Sequence, residues 1–287
     1  MTVRPLTLAL LLATAPIAAE SQNAPARTPR ADSLREANAL DSRGETKKAR
    51  EYFTALIASA PDPAAKAAAQ RAMAMSYAFD GDCANTVKLE EQVIAYWVTR
   101  EQAEPQNAFY QQGEMANEAA RVCIDAGDIA TAEKWYKRGT ELGNKEPEPR
   151  SHPKALWDYR LAHALARVAA RKNDKTTAAS YVAEARKALD SDPKMAEAQE
   201  RFFPYLEGYV AYYTADYKGA EAAFTKTLGI QANQADPFFH ALMAMTQEKL
   251  GNAAKARPHW QQAYDLASAH NPPAAHVRPL ARKKLGL

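Results

Sequence analysis

A chain of 287 residues with 37 Lys and Arg against 34 Asp and Glu carries a formal charge of only +3, too little for a nucleic-acid surface. Alanine is abundant, glycine is scarce at 11, and runs of β-branched residues are absent, which excludes a sheet protein and leaves an all-α chain.

Residues 1–19 read as a secretory signal peptide. Arg4 gives the positive start, Leu6 to Ile17 is apolar, and Ala18-Ala19 offers small residues for cleavage. About twelve apolar residues are too few to span a bilayer. No later segment is apolar enough either, and no Cys follows the apolar stretch to carry a lipid. The expected location is therefore the periplasm of a bacterial envelope, or the outside, after cleavage near Ala19. Residues 20–31 are rich in Pro, Ala and polar residues and read as a flexible linker.

Over residues 32–270 a two-helix pattern recurs six times. Each copy opens on a small residue: Ala37, Ala74, Ala120, Ala166, Gly208 or Ala244. Seven positions on stands a turn residue: Gly44, Gly81, Gly127, Asn173, Ala215 or Gly251. Five further comes a second small residue: Ala49, Thr86, Ala132, Ala178, Ala220 or Ala256. Four later a bulky side chain usually follows, as at Phe53, Tyr136, Val182, Phe224 and Trp260. Small residues let two antiparallel helices approach, the turn residue ends the first in a left-handed conformation, and the bulky residue fills the gap one helical turn on. The second copy has Glu90 in the bulky position, so its second helix is expected to be rotated, with Leu89, Val93, Ile94 and Trp97 inward. Residues 271–287, after Asn271-Pro272-Pro273, read as a capping helix that covers the last unit with Val277, Leu280 and Leu285. Its basic residues Arg278, Arg282, Lys283 and Lys284 make the polar face.

This pattern resembles the tetratricopeptide repeat, best at Tyr205-Leu206-Glu207-Gly208 through Tyr217-Lys218-Gly219-Ala220 to Phe224. The resemblance implies a right-handed α-solenoid of about six hairpins plus the cap. The turn residues are spaced 37, 46, 46, 42 and 36 apart, against a family period of about 34. The surplus must lie in longer helices or longer links, with residues 99–107 and 143–153 as candidates. Stacked hairpins also bring Cys83, at the start of one second helix, beside Cys123, near the end of the next first helix. An even cysteine count in an exported chain favours a structural disulfide between them; the alternative is two separately buried thiols.

No nucleophile elbow, phosphate loop or metalloprotease motif is present. No two histidines stand at a helical metal spacing, so neither a metal nor another cofactor is expected, and the chain reads as non-catalytic. In the resembled family the first helices line a concave groove. Carried onto this chain, the groove stripe holds Asn117, Arg121, Arg160, His163 and Arg167, followed by Tyr205, Tyr209 and Tyr212, with Arg171 flanking. Arginine forks match carboxylates, and tyrosines offer flat amphipathic area. Read this way, the protein is a scaffold that holds a partner protein or acidic peptide in a solvated groove. The alternative is a carrier or receptor for an anionic small ligand, such as a peptidoglycan fragment or acidic saccharide. The bland account of the same residues is a solvated helix face and inter-repeat packing.

Overall fold

A computed structural model describes residues 28–287. The expected signal peptide and most of the expected linker lie outside the described residues. All regular secondary structure among the described residues is helical, with no strand. Its helices pair in sequence: α1 (Pro29–Arg43) with α2 (Thr46–Ala58), α3 (Pro63–Phe79) with α4 (Cys83–Val98), and α5 (Pro105–Ala126) with α6 (Ile129–Gly143). Then come α7 (Lys154–Arg171) with α8 (Lys175–Ser191), a short α9 (Pro193–Gln199), α10 (Phe203–Tyr213) with α11 (Tyr217–Gly229), α12 (Pro237–Lys249) with α13 (Ala253–Leu266), and a final α14 (Pro272–Leu285). The chain is a helical repeat protein, an α-solenoid of six hairpins. Helix α1 starts at Pro29, so the last residues of the expected linker are already helical.

The hairpins follow from a two-residue instruction. All six predicted turn residues sit at positive φ, including the non-glycines Asn173 (57°) and Ala215 (65°). That conformation stops the first helix. In four units the very next residue is an aspartate that caps the second helix. Asp82, Asp128, Asp174 and Asp216 each accept the backbone N–H three positions on, at 2.9–3.0 Å. Three of the six first helices open with proline in their first turn behind a Thr or Asp cap, at Thr28, Asp62 and Asp236, and α14 does so behind Asn271. The paired small residues are buried at every hairpin. At Gly208 even a Cβ would lie 2.5 Å from the Phe224 ring, so the α10–α11 contact demands glycine.

Four features differ from the sequence reading. The surplus length of the fourth unit is α9 and the following turn Glu200–Phe202, inserted between α8 and α10. Second, α4 is not rotated. Thr86 and Glu90 are both wholly buried, in register with the other units, alongside Leu89, Val93 and Ile94, while Trp97 is half-buried. Glu90 occupies the aromatic's place because the register is set by the turn and the small residue, and neither of its carboxyl oxygens has a partner. Third, α14 does not cover only the last unit. Val277 joins the core of the last two hairpins, but Ala275 packs with Met75, Ala78 and Phe79 of α3. Fourth, the basic face of α14 is partly a tether. Arg278 donates to the Ser42 carbonyl (2.7 Å) and Arg282 to that of Arg43, both at the end of α1. Just before α14, His270 donates to the buried Asp41 (2.8 Å), which also accepts from Ser76 (2.7 Å). The last helix thus packs against the first helices α3, α5 and α12 and joins the final hairpin to the first two.

Cys83 and Cys123 form a disulfide with Cα atoms 4.7 Å apart, tying α4 to α5 across a sequence separation of 40. A loop of that length corresponds to roughly 4 kcal/mol of unfolded-state entropy. Reduction, or the Cys83→Ser/Cys123→Ser pair, is expected to lower the melting temperature by several degrees with the helical circular dichroism of the folded state kept. An unchanged melting temperature would show that the crosslink contributes nothing.

Burial raises the Glu90 carboxyl well above its usual range, Glu118 adds to this, and Arg71 opposes it. The unfolded chain releases that proton near pH 4.3. Above that pH only the unfolded state gains by ionising, so the penalty on folding grows as pH rises towards the folded value. Glu90→Leu is expected to raise the melting temperature at pH 7.5, by the equivalent of about 1–3 kcal/mol for an unsatisfied buried group. The gain should shrink towards pH 4.5 in a pH series of thermal melts.

Candidate binding pocket

Residues of α5, α7, α10 and α12, together with Tyr136 of α6, Gln199 and Phe202 around the α9 insert, and Pro272-Pro273 at the start of α14, line an open cavity of about 310 Å³. On α5, Glu114, Asn117, Glu118 and Arg121 fall three or four apart and so share one face; Arg160, His163 and Arg167 do the same on α7. Six of the eight residues in the predicted stripe line this cavity: Asn117, Arg121, Arg160, His163, Arg167 and Tyr205.

Tyr209 and Tyr212 do not. Tyr209 is wholly buried behind the wall, where it accepts from Arg171 Nη1 (3.4 Å). Tyr212 is half-buried against Tyr213 and Tyr217. The three tyrosines therefore form no common shelf. Their spacing places them on one arc of α10, but neighbouring helices cover that arc unequally.

Nor is the site a solvated groove. His163 is 8% exposed and Arg167 7%, because adjoining units bring Tyr136 and Tyr205 over the guanidinium. The arginines also differ in their partners. Arg160 pairs with Glu114, and Arg71 with Glu118, at one end of the cavity. Arg121 pairs with Asp125 (2.8 Å) and lies over the Phe238 ring, 4.1 Å from its centroid. Arg167 makes no salt bridge among the described residues. It donates through Nη2 to the Tyr136 hydroxyl (3.2 Å) and through Nη1 to that of Tyr205 (3.4 Å). Three buried nitrogens on these side chains have no hydrogen-bond partner: Arg121 Nη2, His163 Nε2 and Arg167 Nε.

The electrostatics sort the same way. Burial opposes the Asp125 charge most, but Arg121 beside it, His276 and Arg167 together hold the carboxyl below its usual range. Burial first, then Arg167, pushes His163 well below the ordinary imidazole range, so its ring is neutral at neutral pH. Burial pushes the Asp236 carboxyl up; that side chain also caps α12 by accepting from Phe238 N (2.8 Å). The cavity thus holds one guanidinium without a carboxylate, a neutral imidazole and a wall of aromatic rings. Such a set can bind and orient an anion.

The aromatic wall is the part sequence reading missed. Phe202 sits on the unforeseen α9 insert, Tyr136 was legible only as a filler between helices, and Phe238 and Phe239 precede the groove positions of α12. The Asp236-Pro237 capping signal does mark where that last pair falls. A histidine pair was missed as well: His240 and His259 bring their Nδ1 atoms to 3.2 Å across the last hairpin. No third side chain joins them, and among the described residues no group of three or more His, Cys, Asp or Glu could hold a metal ion.

No protein-family model matches the chain, and no curated protein matches it. Among solved structures, the apo form of RapI is similar at 12% identity and a TM-score of 0.34, over 90% of this chain and 72% of that one.

The neutral state of His163 has a measurable sign. In the unfolded chain it takes a proton near pH 6.5. Below that pH the unfolded state binds the proton and the folded state does not, so stability falls as pH drops towards the folded value. Burial lowers His276 in the same direction. In thermal melts between pH 7.5 and 5.5, His163→Gln is expected to lose less stability than the wild type, with His276 leaving a residual slope. Parallel curves would mean that His163 does not titrate differently on folding.

Proposed function

We propose that this protein is a non-catalytic, exported binding protein of the tetratricopeptide type, and that the cavity between α5, α7, α10 and α12 receives the anionic group of a small ligand. The observation that carries this reading is Arg167: a guanidinium buried in the fold without a carboxylate partner. Leaving a charge in that state is costly, and a ligand anion would relieve the cost. The cavity volume falls at the lower end of small-molecule sites. A partner protein laid along the concave face is less favoured, because α14 already packs against the first helices α3, α5 and α12. The end of a partner chain, with its terminal carboxylate, could still enter.

Export is supported by the apolar leader of residues 1–19 and by the Cys83–Cys123 disulfide, which suits an oxidising compartment. Among the described residues no helix is long and apolar enough to cross a membrane.

The test is to purify the protein from cells that export it, denature it, and analyse the released small molecules by mass spectrometry. The wild type is expected to carry an acidic compound that Arg167→Gln lacks, since losing a buried charge-assisted contact costs about 2–5 kcal/mol. If folded Arg167→Gln retains the same compound in the same amount, Arg167 is a packing residue and the reading fails.

A further inference from the structure

The chemistry of the walls narrows the ligand, on the premise that the cavity binds an anion as proposed above. Consider charge first. Each arginine at the cavity except Arg167 has a carboxylate beside it: Asp125 for Arg121 and Glu114 for Arg160. Asp236, Glu114 and Glu118 also line the cavity and would repel surplus negative charge. Among the described residues Asp236 has no arginine of its own and offsets Arg167 across the cavity, so the walls carry no surplus positive charge and favour at most a monoanion over a phosphate dianion. A carboxylate has two oxygens that match the fork of a guanidinium.

Consider shape next. The rest of the wall is aromatic, with Arg121 lying over Phe238 at its edge. Phe239 lies 4.9 Å from Tyr205 and 6.5 Å from Phe202, ring centre to ring centre, and Phe238 stands 6.0 Å from Tyr205. Rings at these separations and tilts accept another ring edge-on or offset. A cavity of about 150 Å³ accommodates benzene; this one, at about 310 Å³, has room for a ring, a short linker and an acidic head. A saccharide would turn part of its hydroxyl surface to the phenylalanine wall, where no partner stands.

We propose that the pocket takes a small aromatic monocarboxylate, its carboxylate held by Arg167 with Arg121 and His163, and its ring against Phe202, Phe238 and Phe239. The probe is 3-phenylpropionate, titrated calorimetrically into the full mature chain beside acetate, 2-phenylethylamine and inorganic phosphate. 3-Phenylpropionate should bind at least tenfold more tightly than acetate or phosphate, and 2-phenylethylamine should not bind. Arg167→Gln should weaken 3-phenylpropionate at least tenfold, while Arg257→Gln, at an exposed position of α13, should not. Phe202→Ala, at a half-buried position, should weaken 3-phenylpropionate and leave acetate unchanged. Should Arg167→Gln fail to fold, the four probes on the wild type still decide. Acetate or phosphate binding as tightly as 3-phenylpropionate overturns the aromatic class and leaves an anion site standing. Tight binding of the amine, or of none of the four, overturns the aromatic-carboxylate assignment; an acidic compound carried by the purified wild type and lost from Arg167→Gln would then still support an anion site of another class.

Discussion

Every hairpin in this protein depends on one backbone constraint: a residue held at positive φ directly before the start of a second helix. The left-handed residue turns the chain, and in four units an aspartate directly after it caps the new helix, so the two helices separate by a fixed offset. That offset aligns the paired small residues, and close helix contact follows from them. Where the turn residue is glycine the conformation costs little. At Asn173 and Ala215 it costs about 1–2 kcal/mol, which the surrounding packing must absorb. These two turns flank the α9 insert and stand on the hairpins that carry His163, Arg167 and Tyr205. The pocket's position is set by turns rather than by its own contacts.

The repeat was legible because its signals are local. Small–turn–small spacing encodes two helices and their closest approach, and both lie within about twenty residues. The disulfide was legible for the same reason once the hairpins were stacked, since it links adjacent units. Glu90 was misread because a polar residue at a core position argues for rotating the helix, whereas the register was already fixed by the turn at Gly81 and the burial of Thr86. Arg167 was placed on the correct face, but its burial was not foreseen. Which face a residue takes is a property of its own helix. How deeply it is covered depends on Tyr136 and Tyr205, 31 and 38 residues away. The final helix was least legible of all. Its contacts to Ser42 and Arg43 span 236 and 239 residues, and nothing local encodes them.

The pocket combines two costs that a fold built only for stability would avoid. Arg167 is desolvated against tyrosine hydroxyls, which are weaker partners than a carboxylate. His163 keeps a buried nitrogen without any partner. Natural cores satisfy such groups in the great majority of cases. Replacing them by apolar residues of similar volume would be neutral or stabilising in many contexts. Their presence together, on one face of α7 and beside a cavity, is what separates this cluster from the paired arginines nearby. Arg160 and Arg71 have their glutamates and look like ordinary architecture.

The tether from α14 back to α1 changes the connectivity of the molecule. A linear array of hairpins has two free ends, and each unit leans only on its neighbours, so fraying can begin at either terminus. Here the last helix bridges the first two hairpins and the last, through Asp41–His270 and the Arg278 and Arg282 contacts. The array becomes a closed circuit. A circuit has no terminal unit to peel away first, so opening any one interface must strain the others. Cooperativity then extends around the whole body, and a protease cut in the segment between α13 and α14 would convert a ring into an open chain with its interior exposed.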